Sequence, residues 1–543
     1  MCKGKSILTV LSNKYCDNAV FRFKLLFFIA LLEFYMSLLR VLFFLSFLIR
    51  LHAQDLTIAV AGTGLTGLWT VYSLCQELEN YNIDSVKLVV IGKWNWKEAL
   101  ENSLSEETTV FTHEASGFGP IGIQPHSGLL WNTDNEVVDL VKKGIGKPEA
   151  SFYTAPNLEE EGRVFLELYA GWHGRHLDQY NDPASSYNRQ RSLININRYA
   201  RRLWGQFYAE QNISNDNNPF DIHLDGAWRV YDDPVHFNNA LNSLKILQQY
   251  DYPAVAIADS YELANQIPFY RDAILRDQKK GIYFSDDGLV SSNKIRKYIW
   301  SYLQKCNILI EFYLDSEVDD LLTDENGNCT GVVLKNGEEV EADLTFLAMG
   351  LANKNILKQH DIDLPLWNVW GAAIKAPLND LDIAPPTGGV SFHSNRCITA
   401  APDGKTMIIA GTSMVVSENE TPHPTLYRPK LLRNLDILFG DRVDQTQVVF
   451  NVAPRTGIAD DLPVIGFDVP NISNLVVLNP TSHLGNTQSI ALGKLAALYA
   501  IDFLGYIVIY PKGLDLFDYR LDRFEDDIQK VIQDREEGNI LLF

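Results

Sequence analysis

Residues 56–67 constrain this chain more than any other stretch. Leu56-Thr57-Ile58-Ala59-Val60-Ala61 is a short apolar run suited to a buried parallel strand, and it feeds Gly62-Thr63-Gly64-Leu65-Thr66-Gly67 and then a helical pattern from Leu68 to Leu78. This is G-x-G-x-x-G with a strand before it and a helix after it, and a second apolar strand pattern follows at Val86 to Ile91. Gly62 permits the tight turn, Gly64 lets a pyrophosphate reach the backbone, and Gly67 lets helix and strand pack closely. The helix start, with Leu65 and Thr66, offers backbone N–H groups to the anion. A dinucleotide site is therefore expected at Gly62, Gly64, Leu65, Thr66 and Gly67. The acid that usually binds the ribose at the end of the second strand is missing, because that place falls on Gly92 or Lys93. The hexapeptide alone leaves open whether the nucleotide is FAD or a nicotinamide.

A chain of 543 residues, 46% hydrophobic, buries a large core, so one two-domain body or two independent domains are expected. The formal charge of -21 repels a polyphosphate backbone and argues against a nucleic-acid partner. Cys2, Cys16, Cys75, Cys306, Cys329 and Cys397 contain no C-x-x-C pair, so neither a metal site nor a disulfide framework is expected. Residues 25–49 are almost wholly apolar, interrupted by Glu33 and Arg40, and are long enough to cross a bilayer as a helix. Basic residues dominate the preceding stretch (Lys3, Lys5, Lys14, Arg22, Lys24), which places the tail inside and sends the body across. A second reading starts at Met36 and makes Val41 to Ile49 the apolar region of a signal peptide. Both make residues 1–54 an anchor or signal and the body membrane-associated or exported to the periplasmic side; a cytoplasmic enzyme with a membrane-resting helix is the alternative. A twin-arginine pair is absent.

Four further blocks carry chemistry. Glu114-Ala115-Ser116-Gly117-Phe118-Gly119-Pro120-Ile121-Gly122 and on to Gly128 crowds small residues into one loop, which suits close approach to a flat ring. His126 within it is either a ring contact or a solvated loop residue. Gly281 to Gly288 precedes a helical stretch from Asn293 to Gln304, and Ala342 to Gly350 reads as a strand with an Ala348-x-Gly350 end. Near the carboxy terminus stand Arg455, Asp460, Pro463 and Gly466, then Thr481-Ser482-His483-Leu484-Gly485-Asn486-Thr487 opening a helix, then Asp515 to Phe524. Spanning about residues 55–525, these blocks resemble the FAD-dependent D-amino-acid oxidase and glycine oxidase superfamily. The resemblance implies an α/β fold: a Rossmann-like FAD-binding domain assembled from discontinuous segments (55–145, 275–360 and 450–525) plus a substrate domain with an antiparallel sheet (146–274 and 361–449). A charged tail, 526–543, follows.

The resemblance also implies FAD as cofactor, with Ala115, Ser116, Gly117, Gly122, Gly350, His483, Gly485, Asn486 and Thr487 against it. A helix N-terminus at Gly485 places positive partial charge where a reduced flavin is negative. Arg455 stands where relatives clamp the substrate carboxylate with a planar guanidinium fork; the other reading pairs it with Asp460 or Asp461. The expected activity is oxidation of the C–N bond of a small amine or amino acid (a D-amino acid, glycine or an N-methyl amino acid), with a quinone or oxygen as electron acceptor. Two alternatives stand beside it: a flavin-binding relative without turnover, and a flavoenzyme acting on a modified tRNA base. The family's tyrosine is replaced by Cys397, and the aromatic, basic stretch 162–202 suggests a lid.

Overall fold

The computed structural model describes residues 56–93, 120–123, 136–150, 152–181, 189–214, 217–248, 253–379, 382–386, 388–393, 397–401, 403–467, 469–480, 484–538 and 542. The expectations for residues 1–54, for Ala115, Ser116 and Gly117, for His126 and for His483 lie outside them.

The first sheet has six strands, β1 (Leu56–Ala61), β2 (Val86–Gly92), β9 (Leu309–Leu314), β13 (Leu344–Leu347), β20 (Val464–Gly466) and β21 (Leu475–Asn479), in the order β20-β21-β13-β1-β2-β9. All pairs are parallel except β20 with β21. Ile58, Ala59, Val60 and Ala61 are all buried, as an unbroken apolar run must be in a sheet covered on both faces. On one face Ile58, Val60, Leu88 and Val90 pack under helices α1 (Leu65–Asn80), α4 (Arg189–Glu210), α8 (Ser292–Leu303) and α11 (Gly485–Phe503). On the other, Ala59, Ala61, Val89 and Ile91 meet a three-stranded sheet, β10 (Val318–Thr323), β11 (Cys329–Leu334) and β12 (Glu339–Glu341). Helices α2 (Glu136–Gly144), α3 (Glu160–Asn181), α9 (Ala352–Lys358) and α12 (Glu525–Glu536) complete that side.

The second sheet has ten strands: β4 (Phe152–Thr154), β5 (Ala227–Tyr231), β6 (Ala254–Ile257), β7 (Lys280–Phe284), β14 (Leu366–Pro377), β15 (Val390–Phe392), β16 (Cys397–Ala400), β17 (Thr406–Ala410), β18 (Ser413–Val415) and β19 (Val449–Ile458). It is mostly antiparallel, with β5–β15 and β4–β18 parallel. Its outer face packs against α6 (Ser260–Gln266), α7 (Arg271–Arg276) and α10 (Arg428–Phe439); α5 (Pro234–Gln248) lies against Tyr231 on the inner face. A short ribbon of β3 (Pro120–Ile123) and β8 (Gly288–Ser291) stands apart from both sheets.

Three expectations need adjusting. Strands β7 and β19 pair within the second sheet, so segments 275–360 and 450–525 both begin there before crossing to the nucleotide-binding sheet. The described part of the stretch 162–202 is largely helix, in α3 and α4, because its apolar residues bury against neighbours: Phe165, Leu166 and Leu168 of α3 join the core of Ala59 and Ala61, and Leu193, Ile196 and Ala200 of α4 join that of Ile58 and Val60. The terminal helix α12 is mainly solvated but buries Ile528, and Arg535 pairs with Glu160 at 3.0 Å. Separately, the sulfurs of Cys75 in α1 and Cys306 after α8 lie 3.6 Å apart.

Candidate functional site

The loop Gly62–Gly67 has the geometry its glycines suggest. Gly62 sits at φ +114° and donates to Ile91 O at 2.8 Å; a Cβ there would lie 2.3 Å from Ala348 O. A Cβ on Gly67 would lie 1.8 Å from Gly62 O, so only glycine lets α1 come this close to β1. Gly64 differs from both: its backbone is extended, it begins α1, and nothing stands within 4 Å of the Cβ position. The first turn of α1, with Leu65, Thr66 and Gly67, has no side-chain cap and no acid. Among the described residues, then, no side-chain cap or first-turn acid opposes the N–H groups and positive dipole end of this 16-residue helix.

A second uncapped N-terminus lies beside it. Gly485 starts the 19-residue α11, again without a side-chain cap or an acid in the first turn. Thr66 Oγ1 and Ser489 Oγ are 3.0 Å apart, which fixes the two helix starts side by side. Farther along, a Cβ on Gly493 would strike the backbone of Trp69 at 2.4 Å, so that glycine sets the helix crossing. Asn486 and Thr487 are buried. The Asn486 amide donates to Ser292 Oγ at 2.9 Å, and Thr487 O accepts from Trp204 Nε1 at 3.3 Å. Both residues therefore anchor the start of α11 to α8 and α4.

The end of β13 closes the same corner. Ala348 N donates to Ala61 O at 2.7 Å, and Gly350 turns at φ +64°. The buried amides of Asn353 and Asn479 hold this turn. Asn353 donates to Leu347 O and to Asn479 Oδ1, accepts from Met349 N, and Asn479 donates to Gly350 O. Gly122 lies in β3 opposite Leu289 of β8.

The missing ribose acid has a steric reason: a Cβ on Gly92 would lie 2.4 Å from Thr63 Oγ1, so the Thr63 side chain fills that space. A carboxylate reaches this strand end from elsewhere. Ser316 N donates to Gly92 O at 2.9 Å, and the adjacent Glu317 pairs with Lys93 at 2.9 Å and with Lys335 at 2.5 Å. These cations hold the Glu317 carboxyl below its usual range.

Arg455 belongs to the second sheet. It stands on β19 opposite Val369 of β14, and its guanidinium lies across Gly371, where a Cβ would be 2.3 Å from Nη2. By register, its face is shared with Gly371, Ala373 and Ala410, and farther across with Ile398, Ser391 and Arg229. Ile282, opposite Arg229, packs into the core cluster of Ile58 and Val60, so this face looks toward the nucleotide-binding domain. Next to Arg455, Thr456 abuts the Gly350 turn: a Cβ on Gly350 would lie 2.9 Å from its Oγ1. The pairing of Arg455 with a neighbouring carboxylate does not occur. Arg523 takes Asp460 in a two-pronged bridge (2.9 and 3.1 Å), and Asp461 sits in a turn at φ +56° without reaching Arg455. Among the described residues no carboxylate acts on Arg455, and burial alone lowers its pKa from the ordinary arginine value. It remains a cation. Cys397 faces the outer side of the sheet with Phe392, and burial pushes its thiol up to about 12, so a tyrosine in its place would point away from Arg455.

Paired helix N-termini over a parallel sheet, joined to a mostly antiparallel sheet that carries a desolvated arginine, define a two-domain dinucleotide-binding protein. The chain belongs to the DAO family of FAD dependent oxidoreductases, whose model matches residues 167–498. It is 23% identical over 329 residues to a D-amino acid dehydrogenase of Neisseria meningitidis, covering 60% of this chain and 74% of that protein. The D-amino acid dehydrogenase of Xanthobacter autotrophicus is 28% identical over 180 residues, 32% of this chain and 41% of that one. Among solved structures, glycine oxidase from Geobacillus kaustophilus superposes with a TM-score of 0.58 at 15% identity, over 87% of this chain and 99% of that one. L-proline dehydrogenase from P. horikoshii gives 0.58 at 12% identity, with the same coverage. The glycine-lined turn before α1 and the acid-free helix starts fit the family's FAD.

Proposed function

We propose that this flavoenzyme oxidises the C–N bond of a small amino acid, of the D-amino acid, glycine or N-methyl amino acid class. The observation that carries the reading is Arg455: a desolvated guanidinium over a floor of Gly371, Ala373 and Ala410, with no carboxylate of its own among the described residues. A carboxylate entering that space meets two parallel N–H donors. Gripping it there leaves the α-carbon with little freedom to turn, which is the positioning that a bound FAD, supplying two-electron oxidation, requires. The small floor leaves room for a modest side chain. Release of the amine as ammonia or methylamine then needs only water at the imine carbon.

For the acceptor we infer a membrane quinone in preference to oxygen, on the strength of the apolar segment 25–49 and of relatives described as dehydrogenases. The test is anaerobic mixing of the purified flavoprotein with D-amino acids, glycine, sarcosine and proline while the visible flavin bands are followed. Bleaching by one of them establishes the reaction and its substrate class. Bands that no amino acid bleaches overturn the reading in favour of a flavin-binding protein without turnover. Peroxide formed in air faster than a soluble quinone is reduced refutes the acceptor assignment.

A further inference from the structure

After α11 the chain runs through Tyr506-Ile507-Val508-Ile509-Tyr510 as a ribbon with two unlike sides. Tyr506, Val508 and Tyr510 pack against the helical side of the parallel sheet, whereas Ile507 and Ile509 are 91% and 88% exposed. The ribbon is fastened down: Tyr81 donates to Ile507 O at 3.2 Å and meets the Tyr506 ring edge-on at 5.5 Å. The two isoleucines are therefore held outward by a backbone that has a partner.

Strand polarity says which end of the molecule this is. Tyr81 caps the end of α1, and α1 returns antiparallel to β1, so the ribbon lies where β1 begins, at Leu56. Leu309, 65% exposed, starts β9 at the same end, and Phe503 ends α11 there. Residues 50–55 are all that separate Leu56 from the apolar stretch 25–49, and six residues reach at most roughly 20 Å. Wherever that stretch goes, it is tethered to the end of the molecule that carries Ile507 and Ile509.

We propose that the Ile507–Ile509 ribbon is a lipid-contact site that dips into a bilayer surface beside the point where segment 25–49 enters it. Two isoleucines with Leu309 and Phe503 make too small a patch for a stable interface between two copies, which needs about 800 Å² from each partner. The tyrosines flanking the ribbon are the residue type that settles at the headgroup level. The exposed charges at this end are mixed, Asp84 and Asp502 against Lys305 and Lys512, so attachment rests on apolar insertion and not on charge.

The experiment places a tryptophan at the ribbon (I507W, and I509W as a second variant at an equally open position) in the full chain reconstituted with phosphatidylcholine vesicles. Acyl-chain-brominated phosphatidylcholine is expected to quench the added emission about twofold or more relative to wild type, and the quenching should survive high salt. A chain that floats with the vesicles while the added tryptophan stays unquenched overturns the proposal. So does a chain that does not float. Emission already blue-shifted without lipid also overturns it: a dimeric mass would then show a second copy covering the ribbon, and a monomeric mass the chain's own apolar segment.

Discussion

Arg455, the proposed carboxylate clamp, depends on what its neighbours lack. Replacing Arg455 by alanine removes the carboxylate's partner at a cost of about 2–5 kcal/mol, roughly 30-fold to several-thousand-fold in kcat/KM; steady-state kinetics check this, and flavin content should be unchanged. Gly371→Ala should act on the same step indirectly: the new methyl displaces the guanidinium, raising KM and costing about 1–3 kcal/mol of stability. The two loop glycines separate binding from folding. Gly64→Val has an allowed backbone and no described atom within 4 Å of its Cβ, so the protein should fold and melt like flavin-free wild type while losing most of its flavin absorbance; Gly67→Ala should melt below even flavin-free wild type. A fifth residue answers to pH. The hydrogen bond from Cys75 lowers the Cys306 thiol to about 7, while Cys75, buried and bonded to Cys306, is pushed up. Alkylation of Cys306 should therefore accelerate as pH rises through about 7 and fade below it, with Cys75 spared; mass spectrometry of the two cysteine peptides decides.

At the scale of elements, the ends of secondary structures carry the site and the bridges between them hold it. Asp460 is buried and the Arg523 side chain is largely covered; together they join the turn after β19 to the carboxy-terminal segment, with Arg523 also donating to Leu462 O and Arg520 O. Arg523→Ala leaves a buried carboxylate uncompensated and should cost about 3–5 kcal/mol, read as a drop in the denaturation midpoint. Much of this layer was readable beforehand. The strand and helix around Gly62–Gly67 follow from an apolar run meeting three glycines, and the placement of α11 from the block that opens it. Less was readable where function depends on contacts between distant residues. Nothing in the sequence marks Gly371 as the seat of a guanidinium, Asn353 and Asn479 as the clamp on the Gly350 turn, or Thr63 as the filler of the ribose-acid slot. Periodicity names the buried face of a strand, but not which strand lies alongside it. The same limit explains Cys397, which an alignment of blocks suggested as a gap in the site and which the sheet turns to its other face.

For the whole molecule, discontinuity is the governing feature. No segment from 55 to 525 forms a domain alone: β7 and β19 enter from the second sheet before the chain crosses to the first, and α4 of the intervening stretch packs on the nucleotide-binding helices. Among the described residues no helix is long and apolar enough to cross a membrane. The central strand β1 is made long before its neighbour β13, which lies more than 280 residues on (Ile58 opposite Leu344), and the second helix start, at Gly485, comes later still. A growing chain therefore holds half a cradle until α11 has left the ribosome. Timing then decides where the flavin is acquired. A body threaded through a membrane while unfinished crosses empty and must find FAD on the far side, whereas one that stays where it was made is loaded before it reaches any lipid.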